Sequence, residues 1–439
     1  MPQPYLATLP NGMELIVFER HTLRVVAAEL VVRGGTAGLS HESLAAVRVM
    51  LNSLMSGTQR RGEVQLYQTM NQGLIQLYPH SNDTWLGISL RAPSASFDQA
   101  LSILRDVALE PLFPGNAVEV VRRRMLGNDT AHVEPPSRIA QRNLFAALYG
   151  VRHPYTQALA SPAQDLANVS RDQAVAAWRE VMDPAETSLI VVGDVDPLVV
   201  RQSVATLFGD WAHPSEARAR STVPAPTLAA GSGRIIAVDR PGARTTTIVY
   251  GGPYPDDSTP RRAAGALLEE LVAQAESRAT SSAAGGEAGA TWRAWRHFPG
   301  STFWWEKTVA PDQVRSVLQE LEGWIGELRD REPTANDLQI ARARATHGLP
   351  LAFETVENIA DTYGDIVGAE RPLDSIAQFV AAATELRWPQ IRDALPQPDQ
   401  MRAVVVGDLA AVMDQLFSLG WGPVEVHDPD GRLLRTVSR

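Results

Sequence analysis

Metal, nucleophilic and acid–base chemistry each need particular side chains, and this sequence supplies few of them. Cysteine is absent, so thiolate metal sites, cysteine nucleophiles and disulfides are all excluded. A zinc ion would have to be held by His, Asp and Glu, and the chain has nine His. Two His at i and i+4 on a helix can grip one ion, but neither His41 nor His80 has such a partner. A surface or capping role is the plainer expectation for both. No Ser-His-Asp or paired-carboxylate set stands out along the chain, although residues distant in sequence can still meet in space. The small-residue run Ser281 to Ala290 carries no phosphate-cradling Gly-x-Gly-x-x-Gly or Gly-Lys-Ser/Thr signature.

Composition sets the frame in which any site must be built. At 439 residues, with 44% hydrophobic and 21% charged side chains, the chain suits two globular domains rather than one core. The net charge of −10 is the wrong sign for a general nucleic-acid binder. No apolar run is long enough for a membrane-spanning helix, and residues Met1 to Pro10 do not read as a signal peptide. A cytoplasmic location is the expectation; a periplasmic or secreted one stays open if a leader has been removed.

The strands expected to carry any site recur in the same order twice. Leu15 to Phe18 and Ala28 to Gly35 read as two strands, followed by a helix over about 40–55 and a closing strand at Leu189 to Val195 that ends in Gly-Asp. The second half repeats this with Ile235 to Val238, Thr246 to Gly252, a helix over about 259–276, and Ala403 to Leu409. Between the halves, 213–233 is rich in Pro, Ala, Ser and Gly and reads as a linker. Ser170 with Gln173 and Thr334 with Asp337 have capping-box spacing. The expected fold is α+β: a domain over 1–212, a linker over 213–233 and a homologous domain over 234–439, each a mixed, largely antiparallel sheet covered by helices.

The ordered set of segments resembles the pitrilysin and insulin-degrading family, in the two-domain branch that includes the mitochondrial processing peptidase. Leu9-Pro10-Asn11-Gly12-Met13, Val31-Val32-Arg33-Gly34-Gly35, Gly57-Thr58, His153-Pro154-Tyr155 and the Val-Val-Gly-Asp strand carry the likeness in the first half. Pro333 to Leu338, with Ala341, and the closing Val-Val-Val-Gly-Asp carry it in the second. The resemblance implies half of a clamshell-like peptidase. It also implies a zinc motif, H-x-x-E-H, on the first long helix. Counting back from Gly57-Thr58 puts Arg48 at the first His, Leu51 at the catalytic Glu and Asn52 at the second His. The family's third ligand falls near Asn128 or Asp129. Arg is not a zinc ligand and Leu cannot take a proton, so the resemblance implies a family member with no catalytic residues, no metal and no cofactor of its own.

The family's Arg-Tyr clamp for the substrate oxyanion is also missing by alignment. Ser277-Arg278 matches the pair that precedes it, and the clamp positions fall on Ala284 or Gly285 and on Thr291 or Trp292. Candidate substrate contacts by resemblance are Gln76, Leu77 and Tyr78, on a stretch of about 73–85 where substrate would add as a strand, and Arg278, Gly285, Gly286 and Trp292. Pro79 lies in that stretch and would break the ladder offered to substrate, so a blunted, aggregation-resistant edge is the plainer expectation. The 281–290 run is either a substrate-sensing loop or an ordinary surface loop. The aromatics Trp292, Trp295, Phe298, Phe303, Trp304 and Trp305 suggest buried strand packing first and a subunit surface second. Two functions follow: a silent subunit paired with a zinc-bearing homologue to cut peptides, or a stand-alone peptide-binding or scaffolding protein.

Overall fold

The computed structural model describes residues 3–36, 39, 41–82, 84–131, 134–159, 163–213, 233–254, 258–281, 291–296, 301–395 and 397–438. The expected linker lies outside this set except at its ends. By packing, the chain forms two units: Met1–Val133 with Ser161–Val223 and Leu349–Leu373, and Glu134–Ala160 with Pro224–Gly348 and Asp374–Arg439.

The first unit is built on a six-stranded sheet of β1 (Tyr5–Thr8), β2 (Glu14–Glu19), β3 (Val25–Arg33), β4 (Gln76–Ser81), β5 (Trp85–Pro93) and β6 (Thr187–Gly193), in the order β1-β2-β6-β3-β5-β4. Only β2 and β6 run parallel. The second unit has β7 (Ile235–Asp239), β8 (Thr246–Tyr254), β9 (Thr291–Arg296), β10 (Ser301–Val309), β11 (Arg402–Gly407), β12 (Val424–His427) and β13 (Leu433–Val437), in the order β13-β12-β7-β11-β8-β10-β9. The five-strand run β2-β6-β3-β5-β4 therefore recurs as β7-β11-β8-β10-β9, with the same pairing directions. The α+β duplication expected from the sequence is present as this shared core. Both expected capping boxes form, at Ser170 and Thr334. Phe303, Trp304 and Trp305 are buried on β10, as strand packing requires.

The central strands are apolar on both faces. Along β3, Val26, Ala28, Leu30 and Val32 enter the core beneath the N-terminal helices, and the pleat sends Ala27, Glu29 and Val31 to the other face, also buried. That second face is roofed by the Val356–Gly368 helix, which crosses β3, β5 and β6. In the other unit the Pro136–Tyr149 helix crosses β8 and β11. Its buried Arg142 donates to the Pro429 carbonyl (2.8 Å from Nε), to both Glu134 oxygens (2.6 and 2.8 Å) and to the Leu159 carbonyl. Close approach of the 356–368 helix depends on glycine. A Cβ at Gly368 would stand 2.2 Å from the Trp85 ring, and one at Gly364 would stand 3.2 Å from Cγ of Glu29.

Among the described residues no helix is long and apolar enough to cross a membrane. The roofing contact gives a stability test. Gly368→Val is expected to destabilise the chain by about 1–3 kcal/mol through overpacking, read by urea unfolding. Gly326→Ala, in a helix where an added Cβ meets nothing within 4 Å, is expected to leave the midpoint unchanged or raise it.

Candidate functional site

The helix expected to bear the metal motif spans His41–Ser53. Leu44, Val47, Met50, Leu51 and Leu54 are buried and belong to the first unit's core, which is why this stretch is helical and where it is held. Leu51, where the resemblance would put the general base, is only 8% exposed. It lines an apolar hollow with Leu30, Val32, Leu54, Ile88 and Met182. Asn52 is exposed, and its amide donates back to the Arg48 carbonyl at 2.9 Å. Arg48 is half-buried. Asp129 lies on the Gly115–Ala131 helix, with its side chain outside the described set.

These residues do not suit zinc. A guanidinium stays protonated and repels a cation, Leu51 offers no lone pair, and the Asn52 amide nitrogen is a donor with no lone pair to give, turned onto its own helix. Among the described residues no group of three or more His, Asp or Glu side chains is arranged to hold a metal ion.

The expected substrate strand is β4, which ends the described sheet at its open edge. Leu77 points into the core, whereas Gln76 is exposed and Tyr78 is 69% exposed. Pro79, opposite Ile88, interrupts the strand's run of amides. Arg278 falls on the Thr259–Ser281 helix and Trp292 on β9, opposite Trp305. The side chains of Arg278 and Trp292 lie outside the described residues, as do Gly285 and Gly286 entirely, so the structure brings together only Gln76, Leu77 and Tyr78 of the expected set.

A polar cluster near that edge escaped the sequence reading. Glu29 is fully buried under the 356–368 helix, and one carboxylate oxygen accepts from His80 Nε2 at 2.8 Å. His80 is therefore not the surface or capping residue expected for it; its side chain is 25% exposed and tied to a buried acid. The only local signal was a lone acid in an otherwise apolar strand, Val25 to Val32. Burial pushes the Glu29 carboxyl above its ordinary value, with the His80 hydrogen bond opposing in part. Burial also works against the charged imidazole, but the hydrogen bond and charge of Glu29, with Asp361 and Asp365, hold His80 above its ordinary value.

This cluster is not a hydrolytic relay. The Ser89 hydroxyl lies 2.8 Å from the same His80 Nε2 that faces Glu29, so acid and hydroxyl share one nitrogen instead of flanking the ring. His21 has carboxylates on both nitrogens, Asp194 at 2.7 Å and Glu19 at 2.6 Å, which leaves no nitrogen to serve a nucleophile. His427 sits between Asn143 and Glu425 in the interior.

Residues 168–344 match the family model for the peptidase M16 inactive domain. No curated protein sequence matches the chain. Among solved structures, a peptidase M16 inactive domain from Pseudomonas fluorescens superposes with a TM-score of 0.79 at 18% identity, covering 92% of this chain and 98% of that one. A protease from Helicobacter pylori gives 0.79 at 14% identity, covering 92% and 100%. The periplasmic protease PqqL from Escherichia coli gives 0.78 at 12% identity, covering 93% of this chain and 46% of that one.

The packing of the 41–53 helix predicts what restoring one motif residue would do. Leu51→Glu is expected to destabilise the chain by about 2–4 kcal/mol, because it loses apolar contacts and places a carboxylate in an apolar hollow. Urea unfolding reads this, and Asn52→His, at an exposed position, is expected to shift the midpoint far less.

Proposed function

We propose that this chain, which belongs to the M16 (pitrilysin) peptidase family, is a catalytically silent subunit that pairs with a zinc-bearing homologue of similar size. The observation that carries this reading is Leu51: the position of the family's general base has become part of the core, on a helix kept for packing. The partner supplies zinc and general base. This chain supplies chamber wall, stability and backbone at the open β4 edge, where Gln76 and Tyr78 face an incoming extended peptide and Leu77 anchors the strand from below. The assembled pair cuts peptides without nucleotide. We place Arg278, Gly285, Gly286 and Trp292 among the substrate contacts by resemblance alone, and the duplicated domains at 1–212 and 234–439.

A second reading rests on the same exposed edge, which needs no metal to bind an extended peptide: a stand-alone peptide-binding or scaffolding protein. The two diverge in a co-purification and activity assay. Under the silent-subunit reading the chain comes out of its source with a homologue carrying H-x-x-E-H. It holds substoichiometric zinc when alone, and it raises the partner's peptide hydrolysis well above that of the partner alone. A pair no more active than its zinc chain overturns that reading. Recovery as a homodimer or monomer free of such a homologue supports the second.

A further inference from the structure

Glu29 is a buried acid with half its hydrogen-bonding capacity used. One oxygen meets His80, while Oε2 has no hydrogen-bond partner. The helix above it adds negative charge. Glu357, Asp361 and Asp365 stand at i, i+4 and i+8 along 356–368, one stripe of like charge that disfavours itself. Asp365 accepts from the Trp85 indole at 3.0 Å and from Asn82 at 3.2 Å, and Glu357 meets Arg91 at 2.5 Å. The groups facing Glu29 and His80 are Ser89 from β5, Tyr78 from β4, and Asp361 and Asp365 from the helix, with the Glu357–Arg91 pair further along the same stripe. Among the described residues, the four carboxylates Glu29, Glu357, Asp361 and Asp365 have one permanent cation in contact, Arg91 on Glu357, and a second only when His80 carries its proton.

The other unit shows what this position looks like without the cluster. Glu29 pairs with Ile190, three residues before Gly193. The matching residue three before Gly407 is Val404, whose partner on β8 is Val249. An aliphatic side chain therefore occupies the same place beneath the 136–149 helix, so the fold does not need an acid there.

We propose that Glu29 and His80, beneath the Glu357–Asp361–Asp365 stripe, form a proton-operated latch that seats the 356–368 helix on its sheet while His80 is protonated and loosens it when the proton leaves. Deprotonation leaves buried Glu29 facing Asp361 and Asp365 without the His80 charge that offset them. Electrostatics agree in sign. Glu29 and His80 are both held above their ordinary values, and burial, opposed in part by His80, raises Asp361. A group raised on folding stabilises the folded state at low pH, and the contribution is lost as pH climbs through the folded value. For His80 that window opens above 6.5. The 136–149 helix is set the opposite way: burial, opposed in part by Glu425, lowers His427, which is bonded to Asn143 on that helix. Its contribution is lost as pH falls.

The test is hydrogen–deuterium exchange on the full chain as a function of pH, corrected for intrinsic exchange, with the 356–368 and 136–149 peptides followed together. Protection of 356–368 is expected to fall as pH rises above 6.5, by at most about tenfold per pH unit for one proton, while 136–149 does not loosen over the same range. His80→Gln and Glu29→Gln are each expected to flatten that dependence. Histidine NMR of the wild-type chain is expected to place the His80 titration above that of a free imidazole. The latch is overturned by flat protection of 356–368 in the wild type, by an unchanged slope in whichever variant folds, or by a His80 titration below the free value.

Discussion

A sheet that is apolar on both faces has to be covered twice, and the rest of this architecture answers that requirement. In each unit a parallel pair, β2 with β6 and β7 with β11, sits next to a long antiparallel strand whose side chains are buried in both directions. Leaving either face to water would expose a run of Val, Ile and Leu worth roughly 1.5–3 kcal/mol for each side chain buried. The first cover comes from helices close in sequence. The second is a single helix contributed from the other half of the chain, 356–368 for one sheet and 136–149 for the other.

That second cover is where polar groups enter the interior, and the two units handle them differently. Arg142 brings a charge into the core with its donors engaged by carbonyls and by Glu134, so its desolvation is offset by hydrogen bonds, of which those to carbonyls do not depend on a titrating partner. Glu29 brings a charge with one oxygen satisfied by a titratable partner and the other left without one. An unmet buried acceptor costs about 1–3 kcal/mol. Placing that cost next to an imidazole makes the cover's stability depend on the proton count.

The 41–53 helix obeys the same packing logic. A helix that carries zinc ligands must keep one face polar and open. The 41–53 helix instead gives Leu51 to the core and leaves Asn52 bonded to its own backbone. Its place against the sheet is held by Leu44, Val47, Met50 and Leu54, none of which the metal required. The helix is therefore held in place without any metal, and β4 leaves one edge of the described sheet open.

Much of this was legible in the sequence because it is local. Short apolar runs bounded by breaks placed β2, β3, β6, β7, β8 and β11, and helical periodicity placed the first long helix. Capping boxes at Ser170 and Thr334 fixed two helix starts, and the repeated Val-Val-Gly-Asp strand disclosed the duplication. Arg48, Leu51 and Asn52 argue against a zinc motif at those positions by side-chain chemistry alone, which needs no coordinates. What the tertiary structure alone decided was which helix roofs which sheet, and what that roof does to Glu29 and His80. Those two residues lie 51 positions apart, and Asp365 meets Trp85 across 280. Periodicity reports which face of an element is apolar but not what will be laid against it, so a lone acid in an apolar strand acquires its partner only when the chain closes over it.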